Sequence, residues 1–315
     1  MKPADYISRQ YILGLLSSIS LGAGSHYPTY PIITPDGRFV LVPMFGDAAV
    51  LKVDLTTETV VASYTVGTQP NSGCITRDGS KAYVANNGSD FISEINLQTG
   101  VVTNLALPAA ALCGDCVLSV DETILFTMNS GLNTVSRIVL SPYAITSIPL
   151  AGSPSSGATD PLGRWILVVD YSSNVYKIDP NTSAVATVDM SPAAGAYDVC
   201  IDAQGHKAYI AYGFNVNLST LELATDIIGT IPTGVIATSI AISPDGTILF
   251  SDTGSSTSTK VVRTSLPANT VSVIDLGAGN DITNFAFVPG GMKSVGVYPH
   301  APGKLHVLDN LAIPI

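Results

Sequence analysis

A tight-turn signal followed by an apolar, aromatic-bearing run recurs seven times along the chain, and its spacing limits the fold more than any other feature. The copies are TPDGRFVLV (34–42), TRDGSKAYVA (76–85), SVDETILFTM (119–128), DPLGRWILVV (160–169), DAQGHKAYIA (202–211), SPDGTILFSD (243–252) and VPGGMKSVGV (288–297). With one turn residue taken from each, at 36, 78, 121, 162, 204, 245 and 290, successive copies lie 42, 43, 41, 42, 41 and 45 residues apart. A unit of that length cannot bury its own apolar face, so neighbouring copies must stack.

Each unit reads as four short strands. Apolar runs such as SIAIS (239–243) and NFAFV (284–288) precede the turn and alternate with period two. Asp-Gly pairs at 36–37, 78–79 and 245–246 supply the positive φ of a hairpin turn. A polar loop follows the second strand, as in NNGSD (86–90), and the third strand closes on VDL (53–55), INL (95–97), IDP (178–180) or LDN (308–310). A Thr/Asn/Gly turn then leads to a fourth strand such as VVASYTVG (60–67). The expected fold is therefore all-β: a seven-bladed β-propeller of four-stranded antiparallel blades, one domain over 1–315. Tyr83, Phe126, Tyr209 and Phe250 each stand five residues past their turn position and are expected to pack between blades.

The segment TRDGSKAYVANNGSDFISEINLQTGVV (76–102) resembles the YVTN-type β-propeller repeat, and WILVVDYSSNVYKIDPNTSAV (165–185) and SPDGTILFSD (243–252) repeat it more loosely. The resemblance covers nearly the whole chain and speaks to scaffold more than function. Proteins of this kind include surface-layer proteins, cytosolic sugar lactonases, an antibiotic-cleaving lyase and sensor domains. A WD40 repeat fits less well, because the one tryptophan, Trp165, stands in a W-I-L context.

The last blade has room for three strands, at 282–288, 293–298 and 304–309, leaving only LAIPI (311–315), where Pro314 disfavours a ladder. At the other end SISLG (18–22) aligns with SYTVG (63–67). Residues 11–21 are therefore expected to form the outer strand of blade seven, closing the ring and removing an open edge. The run YILGLLSSISLGA (11–23), with Lys2 and Arg9 ahead of it, resembles a signal peptide; closure accounts for it as a strand instead. No run approaches 18 apolar residues, so no membrane span is expected.

Charged residues make up 12% of the chain and the net charge is −10, which argues against a nucleic-acid binder. A propeller of this resemblance places its ligand face on two sets of loops, those between strands four and one and those between strands two and three. There lie Asp47, Asn71, Asn86, Asn87, Asp90, Asp115, Asn129, Asn133, Asp170, Asn174, Asp252, Asp281 and Asn284, with Asp198 just inside its strand. Two readings compete. One is a hard cation, Ca²⁺ or Mg²⁺, with Asp115, Asp198, Asn284, His26 and His300 as candidate ligands. The other is that Asx side chains satisfy turn backbones, which is the expectation adopted.

A lactonase-like or lyase-like enzyme is the alternative function, and the resemblance implies an acidic ligand set with a Glu at the mouth. None of the mouth loops contains Glu. Cys113 and Cys116 form a lone CxxC, without the second pair a zinc site needs; with Cys74 and Cys200 they are expected to be buried thiols. No catalytic residue and no cofactor is expected. The functional expectation is a non-enzymatic structural or binding module, a component of a virion or an extracellular surface layer with other proteins as partners; a cytoplasmic location is the alternative. Docking is expected through the rim formed by residues 11–21 and 305–315.

Overall fold

In the computed structural model, which describes residues 14–22, 27–254, 259–266, 268–277, 281–291, 293–298 and 303–309, the Thr/Ser-x-Asp turn closes on itself alike in four blades. Thr34, Thr76, Ser119 and Ser243 donate their hydroxyls to Asp36, Asp78, Asp121 and Asp245 at 2.5 to 2.6 Å. Each hydroxyl also accepts the backbone N–H five residues on, from Phe39, Lys81, Ile124 and Ile248. These hydrogen bonds hold the Asp carboxyls below their ordinary range, Asp78 to about 2. The glycines that follow, Gly37, Gly79 and Gly246, have φ of +69°, +68° and +71°. The motif is thus a locally satisfied turn, and its recurrence places the strands.

The strands form seven four-stranded antiparallel sheets. The chain is a seven-bladed β-propeller. The first six blades run from inner to outer strand in chain order. Blade seven is composite: Thr283–Phe287, Lys293–Tyr298 and Lys304–Asp309 are completed by Gly14–Ser20, which pairs antiparallel with Lys304–Asp309. The expected closing strand is therefore present, over 14–20 of the predicted 11–21; residues 11–13 and LAIPI lie outside the described residues. No helix occurs among the described residues, and hence none is long and apolar enough to cross a membrane.

The core is a ring of seven apolar clusters, one at each junction between blades. The predicted aromatics sit in it. Phe126 packs with Ile166, Val168 and Tyr176 of the next blade, and Tyr83 with Cys113 and Leu125. Phe250 stacks on Phe287 with ring centroids 5.0 Å apart and planes 2° from parallel. Burying one such side chain contributes roughly 1.5–3 kcal/mol, so each junction holds by several of them. At the seam, Ile19 and Leu21 join Val295, Val297, Leu305 and Val307 against Val40, Val42 and Val53 of blade one. The N-terminal strand is thus part of the core.

Cys113 and Cys116 are fully buried, Cys74 and Cys200 half-buried, and all four are unpaired thiols. Burial raises the Cys113 and Cys200 thiols; contact with the Cys74 thiol, then burial, raises Cys116. Reactive thiolates need the opposite shift.

Candidate functional site

Six residues ahead of the turn position stand Tyr30, Ser72, Asp115, Ser156, Asp198, Ser239 and Asn284, in the inner strand or, for Tyr30 and Ser239, just before it. Beside this position the ladder is interrupted in five blades, between Pro70 and Gly73, Cys113 and Asp115, Pro154 and Ser156, Ala196 and Asp198, and Thr283 and Phe285. A bulge re-aims a side chain that the pleat would otherwise fix. Here it turns polar residues towards the axis of the ring, where inner strands approach one another.

A cavity of about 400 Å³ opens there, lined by residues of blades one to six. Its walls include Tyr30, Asn71, Tyr171 and Tyr197, and Asp115, Ser156 and Asp198 lie together among its lining residues. No lysine or arginine lines it among the described residues. Tyr171 and Tyr197 meet edge to face with centroids 5.3 Å apart, and Phe214 meets Tyr197 at 6.3 Å. This aromatic wall is built on two glycines: a Cβ on Gly213 would stand 2.4 Å from the Tyr197 ring, and one on Gly195 2.4 Å from the Phe214 ring.

The acids clasp neighbouring blades. Asp115 accepts Cys116 N at 2.8 Å and, from the next blade, Gly157 N at 3.0 Å. Asp198 accepts Val199 N at 2.9 Å and, from the next blade, Ile240 N at 3.0 Å. Between the two carboxyls sits Ser156 Oγ, 3.2 Å from Asp115 Oδ2 and 3.0 Å from Asp198 Oδ1. A hydroxyl carries one hydrogen and serves one carboxylate as donor. The other contact is satisfied when that carboxyl is protonated and donates to Oγ.

The electrostatics agree with this proton count. Burial is the main cause that lifts Asp198, to about 7, with the Asp115 charge adding to it against hydrogen bonds from Ile240, Ser156 and Val199. Burial also raises Asp115, opposed by hydrogen bonds from Ser72, Gly157, Cys116 and Ser156. The Tyr30 phenol is raised by burial and then by the charges of Asp198, Asp252 and Asp115. Among the described residues, the cavity lining carries carboxyls and no cationic side chain.

Of the predicted candidates, Asp115 and Asp198 come together in this cavity. Asn284 does not line it, and His26 and His300 lie outside the described residues. No group of three or more His, Cys, Asp or Glu is placed to hold a metal ion among the described residues. Several predicted loop residues are structural pins. Asn86 donates to Phe91 O and Ser93 Oγ, Asn129 donates to Ser136 Oγ, and Asp252 accepts Thr238 and Ser239. Asp170 accepts Ser172 N, Asn174 N, Asn174 Nδ2 and the Tyr176 hydroxyl. All four are fully buried, so the loop face is less acidic than the composition of its loops suggests.

Sequence reasoning missed Tyr30, Tyr171, Tyr197 and Ser156 as lining residues. The register that aligned Asp115, Asp198 and Asn284 extends to Tyr30 and Ser156 and was the available signal; Tyr171 and Tyr197 carry none.

Comparison with known proteins agrees with the fold. The structure is similar to a chain of Kuenenia stuttgartiensis hydrazine synthase, with a TM-score of 0.80 and 16% identity over 92% of this chain and 97% of that one. No protein-family model matches the chain, and no curated protein matches it. The likeness establishes the seven-bladed architecture.

Proposed function

We propose that this protein is a non-enzymatic binding propeller, a rigid ring that presents its loop face and axial cavity within a surface-exposed assembly such as a virion or surface layer. The supporting observation is the use made of the cavity's acids. Asp115 and Asp198 each accept a backbone N–H from the next blade, at 3.0 Å in both cases, so their first role is to hold blades together around a preformed pocket. A cavity of about 400 Å³ is within the range of small-molecule sites. Low charge and a loop face of Asx, Ser and Gly fit an exposed component with protein partners.

A second reading has one observation in its favour: a carboxyl near 7 in a pocket, as at Asp198, is suited to general acid–base work. The hydrazine synthase likeness adds a fold to that reading and no chemistry. Native mass spectrometry of the protein taken from its source separates the two. Retention of partner subunits or of a small molecule supports the binding module. A lone monomer that turns over lactones, and loses turnover in Asp198→Asn, overturns it.

A further inference from the structure

We infer that the axial cavity binds a protonated organic amine, its ammonium group on the Asp198 and Asp115 carboxyls and its apolar body against Tyr171 and Tyr197. The inference rests on the reading of the cavity as a binding site and names the ligand class. Two carboxyls line the pocket, each 8% exposed, and no lysine or arginine among the described lining residues compensates them. Their hydrogen-bond partners among the described residues are neutral donors, so ionising both leaves buried charge that a cationic ligand offsets and a neutral or anionic one does not. Among the described residues Asp198 Oδ2 takes a single donor, Ile240 N at 3.0 Å, and a carboxylate oxygen has two acceptor positions. One N–H of an ammonium fits the second.

The walls select for the same class. Tyr171 and Tyr197 hold each other edge to face, and the Tyr197 ring is packed against Gly213 at a distance no larger residue would permit. A fixed ring presents its face without losing rotamer entropy on binding. Aromatic faces attract alkylammonium cations by about 0.5–2 kcal/mol, most where water is excluded. A bare metal ion would use only the oxygens and leave this wall without a role. The occupant is therefore a compact amine with an aromatic or branched apolar body.

The test is calorimetry and thermal shift on the full chain at pH 8, where Asp198 is ionised and the probe amine is still protonated. Three probes of like shape are compared: 2-phenylethylamine, 2-phenylethanol and 3-phenylpropanoate. The expected result is one-to-one binding of the amine, at least tenfold tighter than the alcohol, with no binding of the acid. Asp198→Asn should weaken the amine tenfold or more and the alcohol by much less. Tyr171→Leu, at a half-exposed position, should weaken both without loss of folding. Equal affinity for amine and alcohol, or an amine insensitive to Asp198→Asn, overturns the ammonium assignment and leaves the binding reading standing. If no probe binds, and native mass spectrometry finds neither a retained small molecule nor partner subunits, both fall.

Discussion

Ser18 Oγ lies 2.8 Å from His306 Nδ1, and the two residues are direct cross-strand partners where the N-terminal strand meets the C-terminal blade. His306 is fully buried, with the Tyr298 ring edge-on at 6.1 Å. Burial, helped by the Lys304 charge, lowers its imidazole to about 4. The ring is therefore closed through a neutral histidine.

That histidine makes closure acid-sensitive. In the unfolded chain His306 titrates near 6.5, whereas folded it does so at about 4. Its contribution is complete above the unfolded value and is lost as pH falls through that window, at up to about 1.4 kcal/mol per pH unit. Ser18→Ala should cost about 1 kcal/mol by leaving Nδ1 unpaired. Urea titrations should show that His306→Leu lacks this rise in stability between about pH 4 and 6.5 that the parent owes to the histidine.

Asp198 acts in the opposite sense over an overlapping window. Its folded carboxyl titrates at about 7 against an ordinary value of 3.8, so the folded state holds the proton more tightly. Stability contributed here falls as pH rises from about 4 to 7, again by at most about 1.4 kcal/mol per unit. The raised Asp115 adds to the same side. Because the histidine opposes them, wild-type stability should vary less with pH between about 4 and 6.5 than Asp198 and Asp115 alone would make it. Asp198→Asn should expose a curve that rises with pH, and His306→Leu one that falls. If both variants follow the parent's curve, the carboxyl and the imidazole do not titrate as their surroundings require.

Removing residues 1–21 should open the ring. Ile19 and Leu21 are 4% and 5% exposed, so the truncation forfeits roughly 3 kcal/mol or more of burial. It also leaves Lys304–Asp309 as a free edge. Differential scanning calorimetry should show a lower Tm, and size exclusion should show self-association. An unchanged Tm would mean that closure contributes nothing to stability.

The hairpin turns give a test of local strain. A Cβ on Gly246 would come no nearer than 3.5 Å to Gln204 Oε1, so space is not limiting; the φ of +71° is. Gly246→Val should cost about 1 kcal/mol or more, because a β-branched residue resists positive φ. Gly246→Asn should cost less, since Asn tolerates that region. Chemical denaturation of the two variants decides the order.

The repeat, the strand boundaries and the closure could be read from the residues because the interactions behind them are local. Thr76 bonds Asp78 two residues away at 2.6 Å, so TRDG signals a turn in whatever fold contains it. Closure followed from counting, since a last blade with three strands and an unassigned apolar run at the start have one economical solution. The cavity was not legible in the same way. Asp115, Ser156 and Asp198 belong to three successive blades and meet only because the stacked sheets curve into a ring, where each bulge turns its side chain to the axis. Tyr171 stands in a loop and Tyr197 at the start of an inner strand, and neither position specifies its neighbour in the adjacent blade. Local hydrogen bonding and period-two burial determined the blades from sequence alone. Which side chains share a buried, low-dielectric space, and how far their protons shift, was decided by the tertiary structure, because desolvation and like-charge repulsion depend on distances that no stretch of sequence contains.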